Sequence, residues 1–148
     1  MGKKTMGLVV MENDTIYALA TPEGQGGIGI IRISGPDAKA ALQAVFRPKH
    51  ALKPRMLCYG EAYDKDGTID EAMGVFMPAP YTYTREDVCE LHAHGSQSVI
   101  AMLLQALSDT GIRAALPGEF TRRAFENGRI DLARAEAVMD IISAQSKN

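Results

Sequence analysis

The chain has 148 residues, 46% of them hydrophobic and 23% charged, with a net charge of −2 at pH 7. A domain of this size buries roughly two-thirds of the surface its unfolded form exposes, so its core needs no disulfide staple. The charge balance argues against a broad electrostatic footprint for nucleic acid. No apolar run reaches membrane-spanning length, and Cys58 and Cys89, without a CxxC pattern, fit reduced thiols in a cytoplasm.

Residues 1–13 read as a loose leader, with Met1, Met6 and Met11 as possible starts and an apolar run too short for a secretion signal. A strand is expected over 16–20, then a glycine-rich turn and a second strand over 28–34. The run Ser34-Gly35-Pro36-Asp37 opens a helix with Ala38, Ala41, Leu42, Val45 and Phe46 on one face. Residues 47–54 read as a loop. Strands over 56–63 and 69–77 are joined by the hairpin turn Asp64-Lys65-Asp66-Gly67. An irregular stretch with Tyr81 and Tyr83 precedes a strand over 88–93. A helix over 96–110 is closed by Gly111, and a short strand follows over 112–116.

Two helices end the chain. Glu119 sets a carboxylate at the positive end of the first, with Phe120, Ala124 and Phe125 as its apolar stripe, and Asn127-Gly128 stops it. Asp131 caps the second, whose apolar positions are Leu132, Ala135, Met139 and Ile142. This helix meets no glycine or proline before Asn148, so its continuation in a longer protein is expected. The connector leaves Arg129 free to point into a cleft. The element order predicts an α+β domain around a mostly antiparallel or mixed sheet.

Some motifs carry chemistry and some only mimic it. Gly24-Gln25-Gly26-Gly27-Ile28-Gly29 satisfies GxGxxG, but it leads into the strand-like Ile30-Ile31-Arg32-Ile33, whereas a dinucleotide site needs a helix there. Alternation puts Ile28, Ile30, Arg32 and Ser34 on one strand face, and Val88, Glu90, His92 and His94 on another. An arginine among isoleucines needs a carboxylate partner or an anionic ligand, because a buried unpaired charge is costly. Glu90-x-His92-x-His94 also offers zinc-ligand types, without an HExxH helix or second histidine cluster to support it. No GxxxxGK[ST] loop and no Gly-x-Ser-x-Gly elbow occur, so the chain alone is expected to turn over no GTP.

Three long stretches resemble the tRNA-modifying GTPase family MnmE (TrmE). They are Asp14 onward through the glycine run to Gly35, then Tyr83-Thr84-Arg85-Glu86-Asp87-Val88-Cys89-Glu90-Leu91-His92-Ala93-His94-Gly95, and the run from Pro117 to Val138. The resemblance implies the family's N-terminal folate-binding and homodimerisation domain over 14–117, similar in fold to the folate domains of the glycine-cleavage aminomethyltransferase. It implies the beginning of a helical domain over 118–148. The family's GTPase domain, which uses GTP, magnesium and potassium, and its C-terminal cysteine motif have no counterpart here.

The resemblance further implies a cytoplasmic homodimer that binds 5-formyltetrahydrofolate or another reduced folate. It also implies work on the C5 position of a tRNA wobble uridine with a flavin- and NADH-dependent partner, MnmG (GidA). Three folate contacts carry over by position: Arg32, Glu90 and Arg129, the last where relatives often have lysine. Glu90 suits the donors of a pterin edge, and arginines suit its carbonyl and the acidic tail. The sequence departs from the family at Arg85, where a glycine is usual, and at Ser96, which replaces the second glycine of His-Gly-Gly. Two alternatives stay open: a dimerisation module without folate, and a free-standing transferase or metal-binding domain.

Overall fold

Period-two hydrophobicity bounded by turn residues produces seven strands among the described residues, and three-four spacing produces four helices there. The computed structural model describes residues 14–22 and 27–146; the expected leader and residues 23–26 of the glycine run lie outside the described residues. In chain order the elements are β1 (Ile16–Leu19), β2 (Ile28–Ser34), α1 (Ala38–Val45), β3 (Phe46–Pro48), β4 (Cys58–Asp64) and β5 (Gly67–Met77). They continue with β6 (Val88–His94), α2 (Gln97–Asp109), β7 (Arg113–Ala114), α3 (Glu119–Glu126) and α4 (Leu132–Ser146).

The strands form one sheet in the order β3-β4-β5-β6-β2-β1-β7. Only β1 and β7 run parallel; the other neighbours are antiparallel. The architecture is the α+β fold with a mixed sheet that the element order predicts. Helices α1 and α2 cover one face of this sheet. Their Ala41, Leu42, Val45, Leu103 and Leu107 pack on Ile31, Ile33, Cys89, Leu91 and Ala93, which alternate inward along β2 and β6. Each such Leu, Ile or Val contributes about 1.5–3 kcal/mol by leaving water. Burial, helped by the nearby Asp87 charge, pushes the Cys89 thiol up to about 12, so it packs as a small apolar group.

Several local expectations change in the folded chain. Phe46 does not finish α1 but begins β3, still buried, because its ring lies against the bare backbone of Gly74, where a Cβ would meet it at 2.7 Å. The expected loop over 47–54 therefore starts as a strand. β4 starts at Cys58, leaving Met56 and Leu57 exposed, and the expected strand over 112–116 shrinks to Arg113–Ala114. Phe125 and Leu132 face solvent rather than the core. Asp131 does cap α4, accepting from the backbone N–H of Arg134, and Ser96 caps α2 by accepting from that of Val99. Gly118, at φ 75°, enters α3 against the Met139 side chain of α4, which a Cβ would push aside. Among the described residues, no helix is long and apolar enough to cross a membrane.

Candidate functional site

The second face of the sheet lies opposite α1 and α2. Across it the ladders align Val75, Glu90, Arg32 and Ala18 in one row, with Met73, His92 and Ile30 in the next. Arg32 and Glu90 are thus brought together. The Arg32 Nε and Nη2 groups donate to one Glu90 oxygen at 2.9 and 2.8 Å, and His92 Nε2 lies 2.9 Å from the other. Burial alone would raise the Glu90 pKa, but hydrogen bonds with His92 and Arg32 outweigh it and hold the carboxyl below its ordinary value. The group is therefore an ionised acceptor at neutral pH. Its Arg32-facing oxygen is fully engaged, whereas its His92-facing oxygen keeps a lone pair for a further donor.

His94 turns away to Asp70, 2.8 Å distant. Glu90-x-His92-x-His94 therefore does not converge on one point, and no group of three His, Cys, Asp or Glu residues among the described residues could hold a metal ion.

Arg129 is not in contact with that pair. Its guanidinium lies 5.4 Å from the centre of the Tyr83 ring, and both residues line a cavity of about 480 Å³ with Met77, Tyr81 and Arg85. Met77 links the two places, because its row (Met77, Val88, Ser34) adjoins the row of Glu90 and Arg32. Arg85 donates to the Asn127 carbonyl at 3.1 Å, and neither Arg85 nor Arg129 pairs with a carboxylate among the described residues. The cavity thus carries two uncompensated guanidiniums beside exposed aromatic surface.

Arg85 sits at φ 64°, in the left-handed region that glycine adopts without strain and other residues adopt at a cost. Arg85→Gly and Arg85→Ala both lose the bond to Asn127, but only alanine keeps the strained Cβ. Arg85→Gly is expected to be the more stable of the two by about 1 kcal/mol, read by urea denaturation.

A buried ionic network fixes the walls of this cavity. Glu119, 1% exposed, accepts from Arg113 at 2.9 and 2.7 Å, from Arg123 at 3.2 Å and from the Leu116 backbone at 2.9 Å. Arg123 also reaches Asp14 at 2.7 Å and Glu86 at 3.1 Å. Burial opposes ionisation of Glu119, but Arg113 overrides it and brings the carboxyl down to about 2. One set of charges therefore joins the chain before β1, the 79–87 loop and α3. Tyr83 and Asn127 add bonds to Thr121 and to the Thr84 carbonyl. The apolar stripe expected of α3 conceals this, since the buried face is Glu119, Thr121, Arg123 and Ala124. The available signal was the Glu119-to-Arg123 spacing of four residues, which sets opposite charges on one helix face.

Residues 15–129 match the family described as GTP-binding protein TrmE N-terminus. The chain belongs to the TrmE N-terminal family.

Among TrmE relatives, the tRNA modification GTPase MnmE of Roseiflexus sp. (strain RS-1) is 50% identical over 140 residues, 93% of this chain and 30% of the relative. That of Chloroflexus aurantiacus is 51% identical over 137 residues, 90% of this chain and 30% of the relative. That of Desulfotalea psychrophila is 45% identical over 146 residues, 96% and 31% respectively. The chain thus spans a little under one third of the length of these relatives. The TrmE match takes in Arg32, Glu90 and Arg129, together with every acid and arginine of the buried network except Asp14.

Proposed function

We propose that this chain is a reduced-folate-binding and homodimerising unit of a cytoplasmic GTPase that modifies the wobble uridine of tRNA, together with a flavin- and NADH-dependent partner. Relatives named as tRNA modification GTPases support the process. The observation that carries the folate reading is the ionised Glu90 beside Arg32 on the sheet face opposite α1 and α2, one row from a cavity with two guanidiniums that form no ion pair among the described residues. These residues fit a folate: Glu90 would accept from the pterin edge, Tyr83 offers a ring face, and Arg85 and Arg129 complement the acidic tail. A bidentate contact at Glu90 requires Arg32 or His92 to turn aside. Folate would supply a one-carbon unit; this chain's residues bind and orient it. Calorimetric titration with 5-formyltetrahydrofolate tests the reading, and no detectable heat from the folded protein overturns it.

The dimer reading is supported by Ile28, Tyr59 and Met73, large apolar side chains left exposed on the same face. A stable interface should bury at least about 1,200 Å² in total. Light scattering at tens of micromolar is expected to return twice the 16.0 kDa chain mass, and a monomer counts against it.

A further inference from the structure

The near-neutral net charge hides a segregation of sign. Between residues 38 and 60 the chain carries Lys39, Arg47, Lys49, His50, Lys53 and Arg55, and no aspartate or glutamate. All six are exposed. The arginines of the buried network and of the sheet face opposite α1 and α2 are neutralised by carboxylates, whereas none of these six forms an ion pair among the described residues. Three of them lie on aromatic rings instead: Lys39 is 5.0 Å from the centre of Phe76, Arg47 is 3.9 Å from that of Tyr63, and Lys49 is 5.9 Å from that of Tyr59. Beside them a groove of about 660 Å³ is lined by Lys39, Gln43, Phe46 and Arg47.

Protection of the sheet edge accounts for part of this. β3 is the outer strand, and charges there deter pairing with another sheet. That reason covers Arg47 and Lys49 but not Lys39 on α1, nor Lys53 and Arg55 in the loop that follows. Glu61 faces Arg47 across the β3–β4 ladder, yet Arg47 stacks on Tyr63 and makes no ion pair with it.

We propose that this β3 edge, from Lys39 to Arg55, is a docking surface for the sugar–phosphate backbone of tRNA; the assignment rests on the tRNA-modification reading above. Unpaired cations exchange condensed counterions for phosphates, and this supplies most backbone affinity. A lipid surface is served instead by a basic helix face opposite an apolar one. Here the cations follow a strand edge and a loop.

Fluorescence anisotropy of a labelled tRNA transcript with the full 148-residue chain tests this between about 50 and 200 mM salt. Binding by the wild type is expected to weaken steeply as salt rises. Arg47→Glu and Lys49→Glu should each weaken it at least about threefold at the lower salt, and their combination at least about tenfold, with the log–log salt slope reduced by about 1.5. Arg134→Glu, the same charge change on the exposed face of α4, should leave affinity within about twofold. Should the double variant fail to fold, the single ones carry the test. No binding by the wild type, an equal loss in Arg134→Glu, or tighter binding to phosphatidylglycerol vesicles than to tRNA overturns the assignment. Folate titration of the same variants should be unchanged, so failure of the folate site and failure of this surface read out separately.

Discussion

Glu90→Ala is expected to weaken 5-formyltetrahydrofolate binding by at least about thirtyfold. The carboxylate is half-buried between Arg32 and His92, and a bound pterin edge would lose its acceptor in a place water reaches poorly. Removing one partner of such a contact costs about 2–5 kcal/mol, and each 1.4 kcal/mol is roughly tenfold in affinity. Glu90→Gln keeps the shape without the charge and should lose most of the same affinity, which separates acceptor charge from packing. Arg129→Lys should cost less, because a cation remains beside Tyr83. Calorimetry on wild type and variants, with melting curves to establish folding, decides the matter. Equal binding by folded Glu90→Ala sinks the site.

Glu119→Ala should destabilise the fold by about 3–5 kcal/mol, since it strands Arg113 and Arg123 without their shared buried partner. Against a typical total of about 5–15 kcal/mol this is a large fraction, and it should lower the melting temperature by on the order of 10 °C. The effect should depend on pH in one direction. Glu119 is held at about 2 in the fold against an ordinary 4.5, and Asp14 is also depressed, burial being outweighed by Arg113 and then Arg123. Their contribution is complete above about pH 4.5 and is lost as pH falls toward 2, because the unfolded chain takes up protons first. Urea denaturation of wild type and Glu119→Gln should therefore converge as the solution is acidified. A stability gap that stays constant from pH 7 to pH 3 contradicts the ionic account. Because Arg123 also holds Glu86, these variants should loosen the 79–87 loop and Tyr83 with it.

The sequence by itself determined the local structure and which strand residues share a face. Period-two alternation put Arg32 and Glu90 on one face of their strands, and three-four spacing marked α1 as a core helix, because both signals depend only on neighbouring residues. The hairpin turn before Gly67, the cap Asp131 and the stop at Asn127-Gly128 were legible for the same reason. The long family motifs were legible too, and the family match now confirms what they implied about membership.

Only the tertiary structure decided what those residues meet. That Arg32 stands opposite Glu90 depends on strand register, which is set by pairing across 58 residues of sequence. The buried face of α3 turned out ionic, with Phe125 outside, because partners from Asp14, Glu86 and Arg113 are available to Glu119 and Arg123 only in the assembled fold. Phe46 left its helix because a glycine on a distant strand made space for its ring. Periodicity reports which positions leave water; whether a charge among them is matched depends on chain segments brought together from far apart in sequence.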